Sequence, residues 1–558
     1  MSTQSLTLVL YDKTDVELFF KNTNLKILNF NNRIYLNEKG YISRLYPLTP
    51  DALACLPDNL NIPKINILDK FTDSDHKEII ERTQSIENKL FEKIDEDKKI
   101  SSSGKETFKS ILHILLCSIF YFFYILKDTG PWLVSDGINY KIATNKNSAL
   151  KIIINKIFFT RSTNILGDPI ENQKLSFLIK FLNKFIINYL KKRKTIWLTG
   201  NSYNFNNIAE NIIKEDHNNK VVYVTNSHKN SYKSVIRSFF QILNPFLVKK
   251  MINFTILRKK NTNISNAINY LISNIDDSLL KDIKIELSDY ISQYINYNES
   301  LIEYLFSSFE KIKPKILISH QLRMFDAAVM GSAAMRYNID SILISHGSHP
   351  VPENMISHYE LKDNAKGLLF SQFATETIVQ SPSAKSSATI YMPKLYQKSS
   401  FPIMWGKISK PRKITEKNNQ FKILHAGGFK VCCGRPWIYE TSNEFLFGLQ
   451  ELVKAIISLE NTTLVISVRD QTECKVDSLK KLLPKNNNIL IKTSGNFYDE
   501  LNSSDLLVSN SSTVIEEALY QRKPVGLFGG SLRYRHLPGS NIIPDNNKRY
   551  PVYHLKYD

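Results

Sequence analysis

The chain has 558 residues, 42% of them apolar and 23% charged, and its 73 Lys and Arg against 53 Asp and Glu leave a net charge of +20. That composition excludes wholesale disorder, and the length calls for two or three domains with separate cores. Five cysteines without a CxxC spacing exclude a disulfide scaffold and a cysteine knuckle for metal, which fits a reducing, cytosolic setting.

The start, Met1-Ser2-Thr3-Gln4, has no basic n-region followed by an apolar core, so no signal peptide is expected. Short strand-like pieces at 6–10, 25–28 and 33–36 give way to a charged helical stretch over 73–99. Residues 111–126 (ILHILLCSIFYFFYIL) are almost wholly apolar, shorter than the roughly 20 residues of a spanning helix, and carry His113 and Ser118. A buried core helix is the expectation, with a membrane-dipping helix as the alternative. Beyond a turn at 128–131 the pattern becomes alternating strand and helix, the mark of a parallel sheet with crossover helices. Strands are expected at 132–134, 195–198, 221–224, 315–319, 341–344 and 377–379, with a long helical region over 264–311. Residues 396–420 hold Ser, Pro and Lys without apolar periodicity and read as a linker. A second αβ unit follows, with strands at 421–424, 463–468, 488–491, 505–509 and 525–528.

The lysines are spread along the chain, as at Lys191, Lys192 and Lys194, and no zinc-finger, RNP or helix-turn-helix signature accompanies them. The positive balance therefore reads as solvated surface, or as affinity for an anionic membrane face, and no nucleic-acid partner is expected.

The most informative stretch is 505–528. An apolar strand ends in Ser509, Asn510, Ser511 and Ser512, and a helix begins at once. Thr513 and Glu516 have capping-box spacing, and Val514, Ile515, Ala518 and Leu519 form an apolar face. Free backbone N–H groups with hydroxyls beside them make a site suited to phosphate. The run SNSSTVIEEALYQRKPVGLF resembles the nucleotide-binding element of GT-B glycosyltransferases, and is similar to that of CDP-glycerol glycerophosphotransferases and CMP-sugar (sialic acid or Kdo) transferases. The resemblance implies donor phosphate at Ser511, Ser512 and Thr513, with Glu516 or Glu517 near the donor's ribose or sugar. Gly427 and Gly428, after the first strand of this unit, would let backbone approach the donor, and Arg469 would place a guanidinium at the same rim. Arg469-Asp470 stands where CMP-sialic acid transferases tend to carry His-Pro, a departure from that family.

In the first αβ unit, Ser345-His346-Gly347-Ser348 follows a strand and is similar to a His-Gly of the glycerophosphotransferases, which implies His346 as the base toward an acceptor hydroxyl or as a contact to phosphate. Asp136 and Asp326, beyond a strand end and at a helix start, are alternative bases or nucleophiles. His346, His349 and His358 lack a carboxylate or Cys at ligand spacing, so no metal site is expected.

The expectation is thus an α/β protein of two Rossmann-like doubly wound lobes, GT-B-like, with an added N-terminal α+β region: 1–128 accessory, 129–395 acceptor lobe, 396–420 linker and 421–558 donor lobe. The resemblance implies a glycosyltransferase of bacterial surface-glycan assembly (capsule, O-antigen or lipopolysaccharide). It would use a nucleotide-sugar donor, CMP-linked before UDP-linked, with no obligatory metal or other cofactor. Its acceptor would be a glycan or lipid-linked glycan, met in the cytoplasm or at the inner face of the membrane. The alternatives are a CDP-polyol phosphotransferase, a nucleotide-sugar 2-epimerase, and a binding protein without turnover.

Overall fold

A computed structural model describes residues 4–21, 29–30, 33–36, 40–58, 60–66, 71–126, 130–159, 173–200, 205–216, 218–226, 231–243, 251–256, 264–345, 347, 349–394, 396–400, 420–428, 435–469, 473–531, 533–542 and 548–556. Its strands form three sheets. The first contains β1 (Ser5–Leu10), β2 (Asn29–Phe30), β3 (Arg33–Tyr35), β4 (Tyr41–Pro47), β5 (Trp132–Ser135) and β6 (Tyr140–Ala143), in the order β2-β3-β4-β1-β5-β6. β1 lies parallel to β4 and β5, and the outer pairs are antiparallel. Central β1 reads SLTLVL and is buried from Leu6 onward, as a strand covered on both faces requires.

The second sheet contains β7 (Thr195–Thr199), β8 (Lys220–Asn226), β9 (Ile252–Ile256), β10 (Ile316–Ser319), β11 (Asp340–Ile344), β12 (Glu376–Val379) and β13 (Tyr396–Ser399). Its order is β13-β12-β11-β10-β7-β8-β9 and every pair is parallel. One face is packed by the helix Lys284–Ile312 and by Phe325–Arg336, whose Ala327, Ala328, Ala333 and Ala334 allow close approach. The third sheet contains β14 (Phe421–Ala426), β15 (Thr462–Val468), β16 (Ile489–Thr493), β17 (Leu506–Ser509), β18 (Val525–Leu527) and β19 (Val552–His554), in the order β16-β15-β14-β17-β18-β19, again all parallel. The chain is therefore an α/β protein with two Rossmann-like, doubly wound sheets and an N-terminal α+β sheet.

Several elements depart from the sequence reading. Trp132–Ser135 does not open the first doubly wound sheet. It pairs with β1 and turns back through a hairpin into β6, because Asp136 and Gly137 close a tight turn. Tyr396–Ser399, expected as the start of the linker, extends the second sheet as an edge strand beside β12. The region 264–311 is two helices, Ser265–Ser273 and Lys284–Ile312. β4, β9 and β19 were not anticipated, whereas the strand expected at 25–28 lies outside the described residues.

The chain divides into two compact units, one of 1–81, 116–157 and 407–558 and the other of 82–115 and 158–406. The N-terminal sheet thus shares a unit with the C-terminal sheet. Ser478 donates to Asp51 at 2.5 Å, Ser442 donates to the Leu48 carbonyl at 2.7 Å, and the Asp51 amide donates to the Glu473 carbonyl at 3.1 Å. In the other unit His113, inside the apolar helix Ser102–Leu126, lies between Glu87 (3.0 Å) and Glu360 (2.8 Å), all buried. Mutual hydrogen bonding is what permits such groups in an interior. That helix is long and apolar enough to cross a membrane, but 83% of its most apolar window is buried, as a core helix is.

Candidate functional site

In the C-terminal sheet the chain lays down β14, β15 and β16 in one direction, then returns to the other side of β14 for β17, β18 and β19. The connections leaving β14 and β17 therefore diverge to opposite faces, and a crevice opens beyond their carboxyl ends. His425 pairs in register with Val508, so Ala426-Gly427-Gly428 and Ser509-Asn510-Ser511 leave the sheet at the same level. These small residues leave a small recess that is partly open to solvent, with His425, Gly427, Gly428, Glu440, Asn510 and Ser511 in its wall.

The floor depends on close backbone packing. The helix Ser442–Ile457 presents Gly448, where a Cβ would lie 2.8 Å from the Gly530 amide nitrogen. A Cβ at Gly530 would lie 1.6 Å from the Glu444 carbonyl oxygen, so that position admits glycine alone. The helix start is fixed by a capping box between Thr441 and Glu444, and Glu444 also holds Arg533 through two bonds of 2.6 Å. Glu440 accepts from the Gly530 amide at 3.2 Å, tying the loop before this helix to the one after β18.

The pocket wall holds polar atoms that the fold does not satisfy. His425 Nδ1 and Asn510 Nδ2 are buried with no hydrogen-bond partner among the described residues, and so is Ser509 Oγ, beside Gly427. Such groups cost free energy unless something binds them. Burial pushes the His425 imidazole down to about 4, so it is neutral at pH 7, with one ring nitrogen able to donate and the other to accept.

The expected donor residues fall into two groups. Gly427, Gly428 and Ser511 line the pocket together, with Ser512 and Thr513 half-buried on the same turn. The capping box expected of Thr513 and Glu516 is not formed. Thr513 has helical backbone angles and no side-chain cap bond, and the Val514 amide instead meets Ser512 Oγ at 3.5 Å. Glu516 is buried, and its charge acts on Tyr534, whose hydroxyl is 2.8 Å from His536 Nδ1. Glu517 and Arg469 are brought near each other from the helix Val514–Tyr520 and the end of β15. Burial raises the Glu517 carboxyl to about 7, while the Arg469 charge pulls it back down.

On the acceptor side, His346 lies outside the described residues. Asp326 is half-buried in the first turn of Phe325–Arg336, after β10, and its charge contributes to raising the Tyr223 phenol. Asp136 sits in the β5–β6 hairpin. Its carboxylate accepts from the amides of Ile138 (2.9 Å) and Asn139 (2.8 Å) and pairs with Lys141 (2.8 Å), bonds that hold it at about 2. Asp136 lies just beyond the end of β5, as expected, but β5 belongs to the N-terminal sheet and the carboxylate closes the hairpin turn there.

Three features escaped the sequence reading. His425 is one, and its signal is its place at the end of a strand, two residues before the Gly427-Gly428 pair. The capping box TSNE at 441–444 is written as plainly as the one sought at 513–516. His320 follows β10 at the switch point of the second sheet, and its signal is the run ILISH, which occurs at 316–320 and again at 342–346.

No protein-family model and no curated protein matches the chain. Among solved structures it is similar to S. aureus MnaA in a co-structure with UDP, at 13% identity over 61% of this chain and 80% of that one, TM-score 0.34. It is similar also to UDP-GlcNAc 2-epimerase from Neisseria meningitidis bound to UDP-GlcNAc, at 15% identity over 60% and 82%, TM-score 0.36. MurG of Acinetobacter baumannii shares 10% identity over 60% and 78%, TM-score 0.33. Likeness this loose assigns no residue a role, and the fold stands on the strand orders above.

Proposed function

We propose that the protein is a nucleotide-sugar-dependent glycosyltransferase whose donor nucleotide occupies the pocket beyond β14 and β17. One observation carries the reading: a switch-point pocket walled by glycines and a serine turn, with buried unsatisfied polar atoms in its wall at His425 and Asn510. Ser511 and Ser512 bind donor phosphate, Thr513 adds its hydroxyl, and Arg469 supplies positive charge at the rim. In the transfer step the bond from the anomeric carbon to donor phosphate breaks, a bond to an acceptor oxygen forms, and a base takes the acceptor proton. His346 is the proposed base and Asp326 the alternative. The resemblance of the 509–528 run puts CMP-sugars first among donors and UDP-sugars second. The acceptor is a surface glycan or its lipid-linked precursor, met at an anionic cytoplasmic membrane face.

A thermal-shift panel of CMP, CDP, UDP and GDP tests this directly. One nucleotide should raise Tm, and Ser511→Ala with Ser512→Ala should weaken it by about ten-fold or more, since hydrogen bonds to charged groups are the strong ones. No shift with any nucleotide overturns the proposal. A 2-epimerase is the second reading, favoured by Glu517, a carboxyl poised to exchange a proton near neutrality. Turnover of a nucleotide sugar without acceptor would establish it.

A further inference from the structure

The unit of 82–115 and 158–406 carries a surface that its own fold leaves uncovered. The helix Gln173–Leu190 buries Ile179, Leu182, Ile186 and Leu190 against the second sheet. Its opposite face is also apolar: Phe177 is 73% and Phe181 58% exposed, one turn apart. The neighbouring helix Ser231–Leu243 packs on it through Phe185 and Phe239, with ring centroids 4.9 Å apart, and adds Phe240 at 60% and Leu243 at 53% exposure. A helix apolar on two faces needs a second cover.

Charge identifies the cover. Neither helix contains an Asp or Glu. Lys180 and Lys184 are exposed among the phenylalanines of the first, Arg237 is exposed one turn before Phe240, and the first helix runs into exposed Lys191 and Lys192. A second copy of this face would repel it. A single-stranded nucleic acid could stack on phenylalanine, but Leu243 offers no ring for stacking. Apolar tips interleaved with lysine and arginine on adjacent helices match the boundary of an anionic bilayer, with phenyl rings among acyl chains and ammonium groups at headgroup phosphates.

We infer that the paired helices Gln173–Leu190 and Ser231–Leu243 form the surface by which this protein docks on anionic lipid. The inference deepens the membrane part of the proposed function, and it is independent of the donor pocket.

The test is co-sedimentation of the full chain with vesicles of phosphatidylcholine alone or mixed with phosphatidylglycerol. Binding is expected to the mixed vesicles and to fall with added salt. Lys180→Glu with Lys184→Glu should weaken it by more than about ten-fold, since each basic side chain at such a surface contributes about five-fold. Phe177→Ser with Phe181→Ser should weaken it independently. All four positions are exposed, so both pairs should keep the wild-type Tm and nucleotide shift, which separates failure here from failure of the donor site. Equal binding to both vesicle types, variants that bind as wild type, tighter binding to an oligonucleotide than to the mixed vesicles, or a wild-type dimer that these variants dissociate would each overturn it.

Discussion

The second and third sheets are wound by the same rule, with three strands added one way and the rest added from the other side of the first, yet their switch points differ in what fills them. Beyond β14 and β17 a Cβ at Gly427 would meet nothing nearer than 3.8 Å, and the space is a pocket. Beyond β7 and β10 stand Gly200 and His320, and a Cβ at Gly200 would lie 2.5 Å from His320 Nδ1. Winding supplies a crevice in both places; the residues at the strand ends decide whether it is open or packed. The largest test of this contrast lies within the open site. Gly530→Ala forces a methyl group into the Glu444 carbonyl and should cost more than about 3 kcal/mol in denaturant titration. Gly427→Ala, at an ordinary backbone angle with room around it, should change stability by less than about 0.5 kcal/mol. If the two variants prove equally stable, the packing of Ser442–Ile457 under the pocket is not as described.

His425 sharpens the comparison through pH. Its folded value is depressed to about 4 by burial, against an ordinary value of 6.5. The unfolded chain therefore binds more protons in that window, and the contribution is present above pH 6.5 and lost as pH falls toward 4. The loss should reach about 2–3 kcal/mol, and His425→Gln should flatten it in urea titrations at stepped pH. An unchanged profile in the variant would mean that the imidazole is solvated.

Next in size is Gly200→Ala. The residue has φ of +95° and faces His320, so the substitution meets both backbone strain and a clash, about 2 kcal/mol together. Combining it with His320→Ala should recover the part due to the clash and leave the strain, a non-additivity expected of neighbours. Full additivity would show that the imidazole does not close this switch point.

How much of this was legible depends on whether a signal is local. Strands such as Thr462–Val468 and Leu506–Ser509 are apolar runs bounded by polar turns, and their alternation with helices announced the two doubly wound sheets. Gly427, Gly428 and Ser511 were legible as strand-end residues, and they do line one pocket. The attachment of the N-terminal sheet was not, because it rests on contacts such as Ser478 with Asp51, 427 residues apart, that leave no periodicity behind. β19 is three residues after Pro551, too short for any pattern. The cap at Thr513 failed for a tertiary reason. Spacing specified a possible box, but Glu516 is drawn into the interior beside Tyr534, and burial outweighs a local bond.

Glu517 gives the smallest effect and the finest test of the open site. Burial raises its carboxyl to about 7 from an ordinary 4.5, with Arg469 opposing. The sign is opposite to that of His425: the folded state binds more protons between pH 4.5 and 7, so the contribution is complete below 4.5 and lost as pH rises through 7. Because the side chain is partly exposed, solvent screening reduces the loss to about 1 kcal/mol. Glu517→Gln should remove this contribution to the alkaline decline and leave the acid decline of His425 in place. Arg469→Gln should do the reverse, raising the Glu517 value further and steepening the decline, because the guanidinium favours the carboxylate. If a nucleotide phosphate sits beside this pair, the anion will disfavour the carboxylate as well. Nucleotide affinity should then fall as pH rises through 7 in the wild type and stay level in Glu517→Gln. A level wild-type profile would place the phosphate away from the Glu517–Arg469 pair.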